Sequence, residues 1–165
     1  MNSDEPWLSE TQQQVWRRWL LMNSRLTSAL SRDMQSGSDL SLQDFGVLVQ
    51  LTDVPDGRVR IAELASALNW ERSRLSHHIT RMEGRGLVQR TECSQDGRGA
   101  FAAITKAGRA AIEGAAPSHA CTVRRLVFDD LTDEELQILG AITDKVLGKL
   151  EPDTGDAAPA LSRSS

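Results

Sequence analysis

Residues 61–88, IAELASALNWERSRLSHHITRMEGRGLV, contain the pattern that decides the fold. Apolar residues recur at steps of three and four positions over 61–68 and again over 71–84, which predicts two short helices. The pair Asn69-Trp70 breaks the pattern between them. Two short helices joined by a tight turn form a helix-turn-helix, an arrangement that many DNA-binding proteins use.

The second helix of this pair, residues 71–84, is expected to have two different faces. Its apolar residues, Leu75, Ile79 and Met82, lie on one side. The other side is available to a partner outside the core, and it carries Ser73, Arg74, Ser76, His77, Thr80 and Arg81. The second helix of a helix-turn-helix enters the major groove of DNA, so we call residues 71–84 the reading helix. An ordinary solvated helix face is the alternative interpretation.

Side chains on the free face of the reading helix suit different contacts with DNA. Arg74 can form two hydrogen bonds with O6 and N7 of a guanine, and His77 can donate to an acceptor on a base edge. The short hydroxyls of Ser73 and Ser76 suit phosphates or base edges at close approach. We therefore expect Arg74 and His77 to contact bases.

Three further residues of the reading helix have other expected roles. Arg72 and Arg81 lie at the two ends of the free face, where they are better placed to hold phosphates than to read bases. His78 lies on the inner side, and we expect a partly buried histidine whose hydrogen bonds are satisfied.

The distribution of charge supports a nucleic-acid partner, although the net charge of the whole chain is −4. Residues 58–109 contain ten Lys or Arg against five Asp or Glu, a net charge of +5, and the rest of the chain carries −9. A basic segment between acidic flanks suits a DNA-binding head on a scaffold that is repelled by phosphate. Chance clustering of charge on a solvated surface is the alternative.

A β-hairpin is predicted directly after the reading helix. Residues 87–92 alternate in polarity as a strand does, the turn residues Asp96-Gly97 follow, and residues 100–104 can return as the second strand. Such a hairpin is the wing of a winged helix-turn-helix. Arg90, on the first strand, is expected to contact a phosphate or to form a salt bridge.

Longer helices are predicted on both sides of this segment. Ser9 and Gln12 form a capping box that opens a helix over 9–35, and Ser41 begins another. After the hairpin a helix begins at Thr105, and Pro117 is expected to kink or interrupt it. Thr132 and Glu135 form a capping box for a last helix. Apolar stripes run along the first and last helices at Val15, Trp19, Met22, Leu26 and Leu30 and at Leu136, Leu139, Ile142, Val146 and Leu150.

With these elements in this order, the chain resembles the MarR family from Trp7 to Leu150. Residues 83–90 (EGRGLVQR) are similar to the family pattern LExRGLVxR, and residues 96–105 (DGRGAFAAIT) are similar to DxRxxxxxLT. Two departures are mild: Ile104 stands where the family usually has Leu, and His78 where it usually has an apolar residue.

The resemblance implies a mainly α fold with a small β-wing, in one domain over residues 1–150. The winged helix-turn-helix would occupy about 41–104, with dimerisation helices at about 9–35 and 105–150. In the wing, the resemblance implies that Arg98 enters the minor groove while the carboxylate of Asp96 fixes its orientation. The alternative is a plain hairpin turn, since Asp-Gly forms such turns without DNA. The small, polar residues 151–165 are expected to be a disordered tail.

The function implied is that of a cytoplasmic homodimer that binds double-stranded DNA at a pseudo-palindromic operator. Repression by steric block is the simplest mechanism, and the resemblance suggests release by a small aromatic or anionic effector. The four tryptophans could line an effector pocket, but helical tryptophans more often pack in a core or a dimer interface.

Other classes of protein fit the sequence poorly. The motifs GxGxxG, GxxxxGK, HExxH and GxSxG are absent, so neither an enzyme nor a cofactor is expected. Cys93 and Cys121 lack a ligand spacing with one another or with the histidines, so no metal is expected either. No apolar run approaches the length of a membrane span. A winged helix that binds proteins instead of DNA stays open as an alternative.

Overall fold

The structure is a computed structural model that describes residues 7–92 and 100–150. Residues 1–6, the wing tip 93–99 and the tail 151–165 lie outside the described residues. In chain order the elements are α1 (Glu10–Gly37), α2 (Leu42–Thr52), β1 (Arg58–Arg60), α3 (Ile61–Ala67), α4 (Arg72–Gly84), β2 (Val88–Glu92), β3 (Ala100–Ile104), α5 (Lys106–Val123) and α6 (Asp133–Leu150).

The chain divides into two compact units, residues 1–126 and 127–165. The first contains the helix-turn-helix, the sheet and the helices α1 and α5, and the described part of the second consists largely of α6. A π-helical turn, Arg124–Phe128, follows α5 at the boundary. None of the described helices is long and apolar enough to cross a membrane.

The predicted helix starts are confirmed by their capping contacts. In α1 the Ser9 hydroxyl accepts from the Gln12 amide at 3.2 Å, and the Ser9 amide donates to the Gln12 side chain at 2.9 Å. Thr132 and Glu135 form the same reciprocal pair before α6. Since the first amides of a helix have no partner inside it, these side chains fix where each helix begins.

The sheet contains one strand that the sequence analysis did not predict. The strand order is β1-β3-β2, with both pairs antiparallel, and Val88 pairs with Ile104 in the predicted hairpin. The additional strand β1 pairs Arg58 with Ala103. Gly57, at φ +59°, turns the chain into β1, and its carbonyl accepts from the Ile104 amide at 2.8 Å.

The hydrophobic core lies beneath the helix-turn-helix. Its largest fully buried side chains come from α2, α3, α4 and the first residue of β2, and they are Leu48, Leu51, Leu64, Leu75, Ile79, Met82, Val47 and Val88. Met34 of α1 and Ile112 and Ala115 of α5 extend the same cluster. The three apolar positions predicted for the inner side of the reading helix, Leu75, Ile79 and Met82, are all 0% exposed.

Pro117, expected to kink or interrupt this helix, does not interrupt it: α5 is helical from Lys106 to Val123. A proline inside a helix removes one backbone hydrogen bond. The rest of this helix is held by its neighbours, since Ile112 and Ala115 on one side and Thr122 on a later turn are buried. Tertiary packing therefore outweighs the local cost of the proline.

Large apolar side chains are exposed on two helices, one in each unit. In α1, Val15, Trp16 and Met22 are about half exposed, at 58%, 51% and 47%. In α6, every residue of the predicted stripe except Leu139 is at least 43% exposed. Patches of this kind on a single chain usually mark an interaction surface.

The start of α5 is fixed against the end of the reading helix by Thr105 and Gly108. The Thr105 hydroxyl accepts from the Gly108 amide at 3.0 Å and donates to the carbonyls of Gly86 and Leu87. A Cβ atom on Gly108 would lie 2.0 Å from the Leu87 carbonyl oxygen. Only glycine allows this approach of the two backbones.

Replacement of Gly108 by alanine should therefore destabilise the protein, by about 1–3 kcal/mol for an overpacked site. Gly114 in the same helix is a matched control, since nothing lies within 4 Å of its added Cβ. Gly114→Ala should raise the free energy of unfolding by up to about 1 kcal/mol through helix propensity. Urea denaturation followed by circular dichroism measures both, and equal effects would show that the approach at Gly108 is unimportant.

Candidate nucleic-acid interface

The turn between α3 and α4 fixes where the reading helix begins. Asn69 adopts a left-handed conformation with φ 52°, which Asn tolerates better than most residues do. The Trp70 amide donates to the Ala65 carbonyl at 2.8 Å, closing the end of α3. The reading helix therefore leaves a short, hydrogen-bonded turn rather than a flexible loop.

The free face of α4 carries the residues that the sequence analysis selected. Arg72, Ser73, Arg74, His77 and Arg81 are exposed, and Ser76 is half-buried. The buried ridge of α4 holds this face outward. The structure thus brings all six selected residues of the reading helix onto one accessible surface.

A buried carboxylate, Asp44, connects α2 with the reading helix. Its side chain is 4% exposed, and its Oδ2 accepts from Arg85 Nη1 at 2.7 Å and from the Ser41 amide at 2.9 Å. His78 Nε2 lies 3.0 Å from Oδ1, a close contact without the alignment of a hydrogen bond. Arg85 also donates to the carbonyl of Asp39. One carboxylate thus joins the start of α2 to the inner side and the end of α4.

The contacts of Asp44 determine its charge state. Burial alone would raise the pKa of Asp44, but His78, the Ser41 amide, the Arg85 guanidinium and the Ser41 hydroxyl together hold it well below its usual range. Asp44 is therefore an anion at neutral pH, and the buried negative charge is paired.

His78 is buried, and its second ring nitrogen also has a partner. Nδ1 lies 2.9 Å from Arg81 Nη2. A guanidinium can only donate, so Nδ1 accepts and Nε2 carries the proton that faces Asp44. The expected position on the inner side is confirmed, and the side chain is more deeply buried than expected, at 7% exposed. The expectation that its hydrogen bonds are satisfied is met only at Nδ1, because the buried Nε2 makes no aligned hydrogen bond. Arg81, expected to hold a phosphate, has one of its donors engaged with His78.

Arg74 lies over the indole of Trp70, with its Cζ atom 4.5 Å from the ring centroid. The same indole meets His78 edge to face, with centroids 5.3 Å apart and planes at 89°. Trp70 is half-buried and packs against the core, as the sequence analysis favoured for the tryptophans, and its indole also supports Arg74 of the reading surface. An open groove of about 430 Å³ lies beside it and is also lined by Arg81 and Arg85.

The wing strand β2 is connected to the reading helix through Arg90. Its amide donates to Glu83 Oε1 at 2.8 Å, and its Nη1 donates to the Ser76 hydroxyl at 3.4 Å. Arg90 was expected to contact a phosphate or a carboxylate, and its side chain contacts a hydroxyl of the reading helix. The two wing-tip candidates, Asp96 and Arg98, lie outside the described residues.

Sequence reasoning missed two features near this surface. Arg58 and Arg60 of β1 lie over the ring of Phe101, with their Cζ atoms 3.9 and 5.0 Å from its centroid. Asp44 lies in the first turn of the helix predicted to begin at Ser41, and nothing in its local pattern indicates that its carboxylate is buried. In residues 7–92 and 100–150, no group of three or more His, Cys, Asp or Glu side chains could hold a metal ion.

Comparison with known proteins identifies relatives over most of the chain. A sequence model of the MarR family matches residues 38–99. A MarR family transcriptional regulator from Streptomyces coelicolor, whose crystal structure was determined in complex with DNA, is 37% identical, with 94% of this chain and 97% of that chain covered and a TM-score of 0.87.

Two further relatives agree with that match. AbsC, another MarR family transcriptional regulator from Streptomyces coelicolor, is 38% identical, with 88% of this chain and 98% of that chain covered and a TM-score of 0.82. An uncharacterized HTH-type transcriptional regulator from Bacillus cereus is 29% identical over 133 residues, which are 80% of this chain and 86% of that protein.

Replacement of Asp44 by asparagine should destabilise the protein by about 3 kcal/mol at pH 7, because Arg85 loses its buried anionic partner and His78 loses the carboxylate that it faces. The pKa of Asp44 is depressed on folding, so its contribution is present above the ordinary value of 3.8 and is lost as the pH falls toward the folded value. The free energy of unfolding of Asp44→Asn should therefore change less than that of the parent between about pH 4 and pH 2.

Asp53, the exposed C-cap residue of the same helix, provides the control. Asp53→Asn should change the free energy of unfolding by less than about 0.5 kcal/mol, as surface substitutions usually do. Urea titrations at several pH values measure all three proteins. If Asp44→Asn and the parent have the same acid dependence, the paired carboxylate does not anchor the reading helix.

Proposed function

The chain belongs to the MarR family of transcriptional regulators, and on that premise we propose that it represses transcription by binding a pseudo-palindromic operator as a homodimer in the cytoplasm. The observation that carries the proposal is the exposed basic face of α4, held outward by a fully buried apolar ridge. A relative that is 37% identical was crystallised with DNA, which supports the same partner here. Members of this family regulate transcription and are not enzymes.

On the reading helix we propose two kinds of contact. Arg74 and His77 would contact base edges in the major groove, with Arg74 directed at a guanine. Arg72 and Ser73, in the first turn, would contact the phosphate backbone, as would the donors of Arg81 that His78 leaves free. Ser76 would contact DNA next to Arg90, whose side chain donates to the Ser76 hydroxyl.

In the wing we propose that Arg98 enters the minor groove, oriented by Asp96. A narrow groove rich in A·T pairs concentrates negative potential, which favours an arginine. The support comes from β2 and β3, which form a regular antiparallel pair up to residues 92 and 100 on either side of this segment. Arg90 would hold the wing at a fixed distance from the reading helix.

For the homodimer, the support is the exposed apolar surface of α1 and of α6. A head of this size cannot bury those side chains by itself, and a second copy would cover them with identical surfaces related by a two-fold axis. Two copies present two reading helices, so a two-fold dimer matches two inverted half-sites.

We propose that the effector is a small aromatic or anionic molecule. It would favour a conformation in which the two DNA-binding heads of the dimer are spaced wrongly for the two half-sites. A cavity of about 330 Å³ in the first unit supports this, since Leu40, Leu87 and Ala111 supply an apolar lining. Arg85, which is paired with Asp44, and Asp39 also line it. Its volume lies at the low end of the range for small-molecule sites.

Two substitutions should separate major-groove from minor-groove recognition. Arg74→Ala should weaken operator binding by about 1–3 kcal/mol and relax the preference at one base pair in each half-site. Arg98→Ala should weaken binding to A·T-rich flanks more than to G·C-rich flanks and reduce the dependence on salt. Gel shifts with DNA from upstream of the gene, with and without competitor, across a salt series measure both.

The binding results for these two variants can contradict the proposed DNA contacts. Equal affinity of Arg98→Ala and the parent for every flank would make Asp96-Gly97-Arg98 a plain hairpin turn. If both variants bind like the parent at physiological salt, the proposed DNA contacts fail, and a winged helix that binds proteins becomes the better interpretation.

Sedimentation equilibrium tests the dimer. The chain has a mass of 18.1 kDa, and we expect twice that mass at tens of micromolar protein. Exchange of Val146 for glutamate should shift the equilibrium toward the monomer, because Val146 is a 43% exposed apolar residue of α6. A parent protein that stays monomeric at this concentration would contradict the two-site mechanism.

A panel of phenolic acids and other metabolites tests the effector. A true effector should raise the melting temperature of the free protein and lower its affinity for the operator, because it favours a state that binds DNA poorly. Ligand control should be abandoned if no compound changes either quantity.

A further inference from the structure

Trp70 connects the buried anchor of the reading helix to its exposed face. One face of the indole lies beneath the Arg74 guanidinium, at 4.5 Å from Cζ to the ring centroid. The indole also meets the ring of His78, which lies 3.0 Å from the buried carboxylate of Asp44. Within the described residues, Arg74 is the arginine that stacks on Trp70.

The position of Trp70 is itself fixed by the backbone. Its amide donates to the Ala65 carbonyl at 2.8 Å, and the left-handed Asn69 precedes it in the turn. The indole is therefore held from three sides: by its own backbone, by the edge contact with His78, and by the guanidinium above it. A ring held in this way can restrict the side chain that stacks on it.

Stacking has a definite consequence for an arginine that contacts a base. An exposed arginine occupies many rotamers and loses that freedom when it binds. Stacking restricts the rotamers before DNA arrives, and it uses only the flat face of the guanidinium. The five N–H donors lie in the plane of the group, so they stay available for a bidentate contact with guanine.

We propose that Trp70 is a positioning residue for base recognition, which holds Arg74 in the orientation that contacts a guanine. The proposal rests on the role proposed above for Arg74 and adds the residue that makes that contact selective. The indole does not touch DNA in this account. Trp70 affects DNA binding only by orienting Arg74.

A double-mutant cycle on a duplex selected by this protein from a random library tests that dependence. Trp70→Leu should weaken binding about fivefold, the cost of ordering one free arginine, and reduce discrimination against a changed guanine pair. In the Arg74→Ala background the same change should alter binding less than about twofold, because the interaction is already absent. Trp70→Phe, which keeps an aromatic face, should restore most of the loss.

Arg72→Ala is the matched control, since Arg72 is exposed on the same helix and outside the stack. In the Arg72→Ala background, Trp70→Leu should still weaken DNA binding about fivefold, as expected for independent sites. Thermal unfolding of each variant shows whether the fold is intact. If Trp70→Leu weakens binding equally with and without Arg74, Trp70 has a general structural role and the proposal is wrong.

A second measurement needs no DNA. In the free protein with ¹⁵N-labelled arginine, the side-chain resonance of Arg74 should be shifted by the indole ring current, and Trp70→Leu should remove that shift. An unchanged Arg74 resonance would overturn the stacking itself.

If Arg74→Ala binds DNA like the parent, the proposed role of Arg74 in base recognition is wrong, and this proposal is wrong with it. If Arg74→Ala weakens binding and Trp70→Leu does not, only the present proposal falls.

Discussion

The buried carboxylate of Asp44 is the constraint on which the reading surface depends. Apolar packing of α4 through Leu75, Ile79 and Met82 is strong but has little directional preference, so by itself it permits small rotations and shifts of the helix. The contacts of Asp44 with His78 and Arg85 add direction, because a buried charge must keep its partners. The orientation of the helix follows from that requirement.

Further contacts hold the rest of the surface. His78 accepts from Arg81 on one side and meets the ring of Trp70 on the other, so the inner side of α4 restrains Arg81 of its outer side and Trp70 of the preceding turn. Arg90 then connects the wing strand to Ser76. The reading helix, the turn before it and the wing are thus linked by contacts outside the apolar core. These contacts make the surface rigid, as base recognition requires.

The sequence predicted the helices because their signals are local. Ser9, Ser41 and Thr132 lie at helix starts with their partners three residues later, and the apolar period of α4 matches its buried ridge. Strand β1 has only three residues, too few to show alternation, and its pairing with β3 joins distant parts of the chain. For the same reason, local sequence patterns do not reveal the contact of Asp44 with Arg85, which lies 41 positions away. Pro117 does not interrupt α5, because packing around the helix outweighs a local preference.

The central claim is that two copies of α4 enter the major groove at two half-sites, and protection of guanine N7 from dimethyl sulfate tests it most directly, because N7 faces that groove. With saturating protein on its selected duplex, we predict protected guanines in two segments about 10 base pairs apart on one face of the helix. Guanines that stay fully reactive under saturating protein would contradict the account, as would protection confined to a single segment.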